Sequence, residues 1–258
     1  MTSMHRDEST LSRLLSRGSR ACLERALLAA ALGFALPLSA CEFGVDGNGH
    51  RTDELRQVGG AFTRVEDDGE LDVFIERGDE FSVVVSIDSN LQHLVDLRVS
   101  GDTLVIDSER NLGHTVDGPH VWVTLPRLQG VYLDGCGRMV ATGFDSDDVV
   151  DLELDGSGLL EFHGEAAQLN VSHDGSGRVL LEGATDSIDL RLGGSGSIDA
   201  RSCPALDGVF GLSGSGEISA TVTETAQVSL SGSGRIDLYG GAVLEHQSVS
   251  GSGSIRQL

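Results

Sequence analysis

A Gly-x-Gly triplet recurs seven times in the second half of the chain: Gly135-Cys136-Gly137, Gly156-Ser157-Gly158, Gly175-Ser176-Gly177, Gly194-Ser195-Gly196, Gly214-Ser215-Gly216, Gly232-Ser233-Gly234 and Gly251-Ser252-Gly253. Successive triplets stand 21, 19, 19, 20, 18 and 19 residues apart. So regular a period confines the fold to one supersecondary unit stacked on copies of itself.

The unit follows from the apolar positions around each triplet. Four residues after its first glycine stand Met139, Leu160, Val179, Ile198, Ile218, Ile236 and Ile255. Two before it stand Leu133, Leu154, His173, Leu192, Leu212, Leu230 and Val249, and four before it Val131, Leu152, Val171, Leu190, Phe210, Val228 and Gln247. Apolar residues at even offsets with polar ones between are the period of a β-strand. Each unit is therefore strand, glycine corner, strand, the glycine supplying positive φ without a Cβ penalty. Parallel stacking places equivalent residues about 4.8 Å apart, so seven coils make a rod about 30 Å long.

This predicts an all-β fold, a single-stranded right-handed parallel β-helix (β-solenoid) of about 19 residues and three short strands per coil. A propeller blade needs about 40 residues, and calcium-binding nonapeptide repeats place Asp two residues after the last Gly. Gly194-Ser195-Gly196-Ser197-Ile198-Asp199 has it one residue too late for that pattern. A left-handed hexapeptide helix would show three similar sixths per coil, whereas one corner alone carries glycine.

Upstream, residues 59–130 are also strand-rich, with turns at Asp67-Asp68-Gly69, Gly78-Asp79, Ser100-Gly101-Asp102 and Asp117-Gly118-Pro119. They are expected to begin the same solenoid with less regular coils and to cap one end, since open strand edges invite pairing. The regular coils span 131–258. No cap is evident at the other end, near Leu258, and self-association through that end is the third reading, since exposed strand edges invite pairing.

The first forty residues read as an address. Arg6, Arg13, Arg17, Arg20 and Arg25 precede an apolar run from Ala26 to Leu38, which is shorter than the roughly 20 residues of a spanning helix. No other segment approaches that length. The run ends in Leu38-Ser39-Ala40-Cys41, which resembles the lipobox of bacterial lipoproteins. That resemblance implies a signal peptide at 1–40 and lipidation of Cys41 as the mature N-terminus; Gly44, Gly47, Gly49 and several charges read as a flexible tether within 41–58. Glu42, rather than Asp, after the cysteine implies sorting to the outer membrane of a Gram-negative envelope.

The chain carries 18 basic and 40 acidic residues, a net charge of -22. Removing 1–40 takes away five Arg and only three acids, so the mature chain is the more acidic. Nothing here would neutralise phosphates, which argues against nucleic acid as a partner.

Residues 59–258, with Phe62-Thr63-Arg64-Val65, Val121-Trp122-Val123-Thr124-Leu125-Pro126 and corners such as Ser231-Gly232-Ser233-Gly234, resemble the putative auto-transporter adhesin, head GIN domain family. The resemblance implies a β-helical envelope protein without catalytic residues, acting in adhesion, in binding a glycan or an envelope or matrix protein, or as a scaffold. Cys136, at a corner, and His173, inside the ladder, depart from the family's pattern.

Several residues could carry chemistry. Asp134, Asp155 and Asp174 precede three successive corners at outward parity. Like charges about 5 Å apart repel by roughly 1 kcal/mol in water. Water, Arg138 and Arg178, or a bound calcium would relieve that cost. A polysaccharide-acting lyase or hydrolase is the competing class, with Asp155, Asp174, Arg178 and Arg191 its candidates, but general acid–base work needs a cleft that repeats alone do not supply. Trp122, Tyr132 and Tyr239 are the main stacking platforms for a sugar. His173 is expected to mark a local bulge or to be hydrogen-bonded within the core, metal ligation needing partners that the register does not supply. Cys136 and Cys203, three coils apart, are expected to be unpaired and mostly buried. The corner serines are read as structural, since no base recurs beside them.

Overall fold

The computed structural model describes residues 44–108 and 112–258. The signal peptide expected at 1–40 and the lipidation expected at Cys41 therefore fall outside the described residues. Among those described, no helix is long and apolar enough to cross a membrane.

Eight strands occupy the irregular part: β1 (Arg51–Arg56), β2 (Arg64–Asp68), β3 (Asp72–Arg77), β4 (Ser82–Asp88), β5 (Val95–Ser100), β6 (Thr103–Ser108), β7 (His120–Leu125) and β8 (Gly130–Gly135). The regular part holds β9 (Arg138–Gly156), β10 (Leu159–Gly175), β11 (Arg178–Gly194), β12 (Ser197–Gly214), β13 (Glu217–Gly232), β14 (Arg235–Tyr239), β15 (Val243–Gly251) and β16 (Ser254–Gln257). From β8 onward every pairing is parallel, and apart from those of β8 and β9 with β2 and β3 the partners lie about one repeat apart, as in Leu160↔Val179 and Val171↔Leu190. The chain is a parallel β-solenoid, as the triplet period requires.

Each long strand bends within its coil. Along β12 the buried residues run Ile198, Ala200, then Cys203, Ala205, then Gly208, Phe210, Leu212. Two slips in the alternation divide the coil into three faces, because a change of parity turns the next inward side chain only if the chain turns with it. Phe162, paired with Leu181, and Phe210, paired with Leu190, are fully buried and fill the interior. Burying each such side chain contributes about 1.5–3 kcal/mol.

The irregular strands depart from the expectation of coils in chain order. The first coil in sequence, β2–β3, turns at Gly69, whose carbonyl accepts hydrogen bonds from the Cys136 and Gly137 N–H groups (both 3.2 Å). It stacks against β8–β9 on one side and β6–β7 on the other. The chain thus leaves the middle coil, builds the end of the rod, and returns past it. At that end β4 runs antiparallel to β7, β1 antiparallel to β4, and β5 antiparallel to β6. The expected cap is present, built by reversal of strand direction, and it takes in β1, so residues 51–56 are a paired strand rather than part of the flexible tether expected over 41–58.

At the other end β15 pairs with β13 and β16 with β14. Val249 (45% exposed) stands open where its equivalents in the two preceding coils, Leu230 and Leu212, are buried, and Val243 and Leu258 are exposed beside it.

Candidate recognition face

The corner needs glycine twice, for different reasons. In all seven triplets the first glycine has φ between +110° and +156°. The second does not; a Cβ on Gly158, Gly177, Gly216 or Gly234 would lie 2.4–2.6 Å from the carbonyl oxygen of the second glycine one coil earlier. It would also strike the ladder leucine beneath, at 2.7 Å for Leu133 under Gly158 and 2.5 Å for Leu212 under Gly234. The second glycine is therefore the seat of a leucine. His173 occupies the same seat beneath Gly196, where an added Cβ would lie 2.1 Å from its Nε2. Its ring is fully buried, and Nδ1–H donates to the Leu154 carbonyl at 2.9 Å. Asp67, fully buried, takes the seat beneath Gly137, where an added Cβ would lie 3.1 Å from its Oδ2.

Because the interior column is fixed, the residue just before each corner faces out. Asp134 pairs with Asp155, and Asp155 with Asp174. The file is longer than the triplets indicate: Asp107 pairs with Asp68, and the β2–β8 register continues from Asp67↔Leu133 to set Asp68 beside Asp134. Five carboxylates therefore occupy five successive rungs. The file stops at Gly193, over which Asp174 leans; a Cβ there would fall 1.9 Å from its Oδ1.

The file raises its own pKa values. Burial first, then the charges of Asp68, Asp155, Glu66 and Glu153, push the Asp134 carboxyl up to about 6. Burial and Asp174 raise Asp155, while burial, Asp155 and Asp174 raise Glu153. Relief does not come from Arg138, expected beside the file: its guanidinium donates to Glu161 at 2.7 and 3.0 Å. Nor do the carboxylates gather. Among the described residues no three His, Cys, Asp or Glu side chains converge as a cation cage requires, so the calcium weighed at Asp134, Asp155 and Asp174 as one source of relief has no such cage.

Beside the file runs an open groove lined by Tyr132, Asp151, Glu153, Asn170, Ser172, Asp189 and Arg191. Its polar groups hold one another in place. Arg64 Nε donates to the Tyr132 hydroxyl (3.1 Å), Asn170 Nδ2 to Asp151 (2.9 Å), and Arg191 to Asp189 (2.9 and 3.1 Å). Of the enzyme alternative's set of Asp155, Asp174, Arg178 and Arg191, the two carboxylates are paired in register and Arg191 is engaged by Asp189. Further along the rod the same outward positions become Ser213, Ser231 and Ser250. The face therefore passes from carboxylate to hydroxyl along its length.

Other candidates are accounted for by packing. Trp122 stacks on Phe74 (ring centroids 5.8 Å apart, 21° between planes) with His120 edge-on at 5.4 Å, so one face of the indole is covered within the molecule. Cys203 is buried, and burial pushes its thiol up to about 11. Cys136 is exposed, contrary to expectation, because the middle residue of a corner points away from both strands.

A family model described as "Putative auto-transporter adhesin, head GIN domain" matches residues 61–242. No curated protein matches the chain. Among solved structures, a putative adhesin from Bacteroides fragilis is 21% identical with a TM-score of 0.73, over 83% of this chain and 100% of its own. A putative lipid binding protein from Parabacteroides distasonis is also 21% identical, with a TM-score of 0.69, over 83% of this chain and 99% of its own. A putative adhesin from Parabacteroides merdae is 19% identical with a TM-score of 0.63, over 84% and 99%. At these identities the likeness establishes the fold.

Proposed function

Because the chain belongs to the putative auto-transporter adhesin, head GIN domain family, we propose that it is a lipid-anchored cell-envelope protein whose β-solenoid acts as a non-catalytic, adhesin-like binding module. The observation that carries this reading is the face itself: a shallow, open, pre-organised strip in which carboxylates and hydroxyls repeat at the rung spacing. Such a strip suits an extended partner rich in hydrogen-bond donors, a glycan chain or a segment of an envelope or matrix protein, because repeated groups add weak contacts along its length. It does not enclose a small molecule as a catalytic cleft does. The matched family and the structural neighbours are described as adhesins or lipid-binding proteins and none as an enzyme.

The anchor is a separate part of the proposal and rests on Leu38-Ser39-Ala40-Cys41. Acyl chains contribute about 0.8 kcal/mol per buried methylene, so two or more hold the protein at the outer-membrane surface while the solenoid stays in water. Intact-mass analysis of protein from membranes should show acylated Cys41, and Cys41→Ser should release it to the soluble fraction; a membrane-bound Cys41→Ser protein would overturn the anchor.

Binding is tested with the mature chain on glycan and matrix-protein arrays, with calcium and with chelator. Selective binding that weakens in Glu153→Gln/Asp155→Asn and is indifferent to chelator is expected. Loss of binding in chelator would mean that a cation mediates it. A folded protein that binds nothing would remove the recognition reading and leave an envelope scaffold.

A further inference from the structure

The two ends of the rod differ in how they treat unpaired strand edges. At the N-terminal end the outermost strands are charged: β1 reads Arg51-Thr52-Asp53-Glu54-Leu55-Arg56, and β5 carries Asp96 and Arg98. Charge on an edge strand opposes pairing with another chain. At the C-terminal end β15 carries Glu245 as its one formally charged residue, amid Val243, Leu244, Gln247, Ser248, Val249 and Ser250. Its outer edge has no partner strand among the described residues.

Residues 243–258 hold one acid, Glu245, and one base, Arg256, in a chain of net charge -22. Two copies of so acidic a molecule repel over most of their surface; this end is where they can meet without that cost. It also offers what only a matching cross-section covers. Val249 belongs to the buried ladder column and pairs with Leu230, yet it is 45% exposed, and Ile255 pairs with Ile236 but is only partly buried. The end of an interior column is covered best by the end of an equal column.

We propose that two copies join tail to tail, β15 of one running antiparallel to β15 of the other about a two-fold axis perpendicular to the rod. The occupant of this edge is a second copy of the same chain. The contact is isologous and closes at two, and the charged reversed strands of the other end stop growth into a filament.

Sedimentation and light scattering of the mature chain carrying Cys41→Ser, which retains every described element while lipid cannot drive association, should give twice the monomer mass, dissociating on dilution. Val249→Lys places two ammonium groups near the axis and should return the monomer mass with an unchanged circular dichroism spectrum. Because Val249 is half exposed, the variant is expected to fold; Ser248→Lys on the same strand, from an exposed polar position, provides the second reading if it does not. A wild-type chain that stays monomeric at every concentration, an open-ended series of masses, or a dimer indifferent to both lysines would each overturn the proposal.

Discussion

At the scale of single residues, the ladder contains two polar side chains where leucine would do. Asp67 lies between Ile106 and Leu133 in register, and neither carboxyl oxygen has a well-formed hydrogen bond among the described residues. Burial, reinforced by Asp68, pushes its pKa well above the usual carboxylate range, with the nearby Leu71 N–H pulling it back only in part. A carboxyl whose folded pKa is raised contributes stability fully present below its unfolded value, near 4, and lost as pH rises through the folded one. Thermal unfolding should therefore show a stability that declines above about pH 4, and Asp67→Leu should remove that component. At neutral pH the substitution should stabilise by about 1–3 kcal/mol, the usual cost of a buried unsatisfied polar group. Gly137 makes the room a leucine needs there. A flat pH profile in the wild type, or a destabilised Asp67→Leu, would refute this. The Asp134 carboxyl, raised to about 6, acts in the same direction between about pH 4 and 6. His173 differs in having one satisfied nitrogen, while Nε2 lacks a partner among the described residues.

At the scale of the element, each triplet joins a backbone requirement to a packing requirement. Gly177→Ala should cost about 3 kcal/mol or more, because its Cβ would lie 2.5 Å from the Gly158 carbonyl oxygen and 2.9 Å from Leu154 Cδ2. Ser176→Ala, at the exposed middle of the same corner, should change stability by less than about 0.5 kcal/mol. Denaturant midpoints of the pair decide it; equal effects would mean that the corner tolerates side chains generally. The repeat made this element legible, since seven copies fix both the corner and the inward positions. What stayed hidden were the members without a triplet. Asp67-Asp68-Gly69 reads as an ordinary turn, because Gly69 is followed by Glu70 and Leu71 and no second glycine marks the coil. Asp68 and Asp107 therefore escaped the carboxylate file, and Asp67 the ladder. The sole signal was the same offset from a glycine, with Val65 two residues before Asp67.

At the scale of the whole molecule, charge and pairing direction are both unevenly spread. Alternation of apolar and polar residues is the same for parallel and antiparallel partners, which is why β4 to β7 read as strands but not as a reversed cap. The five stacked carboxylates lie at one part of the rod, and at about 4.8 Å apart they sit well within the Debye length of about 10 Å at 0.1 M salt. Added sodium chloride should raise the melting temperature at pH 8 and do so less at pH 5, where Asp134 is largely protonated; a fall in melting temperature with salt at pH 8 would contradict the picture. The placement of β2–β3 bears on how the molecule comes to exist at all. It is the earliest coil to be synthesised, yet both its edges wait for strands supplied by residues 103–142. Closing those long loops is the entropically expensive step, and each later turn adds only about one repeat of local chain. β2–β3 is thus a two-sided seed, after which the rod can lengthen in one direction alone. Val73→Ala should slow refolding in stopped-flow measurements, whereas Val228→Ala, a coil near the growing tip, should chiefly speed unfolding.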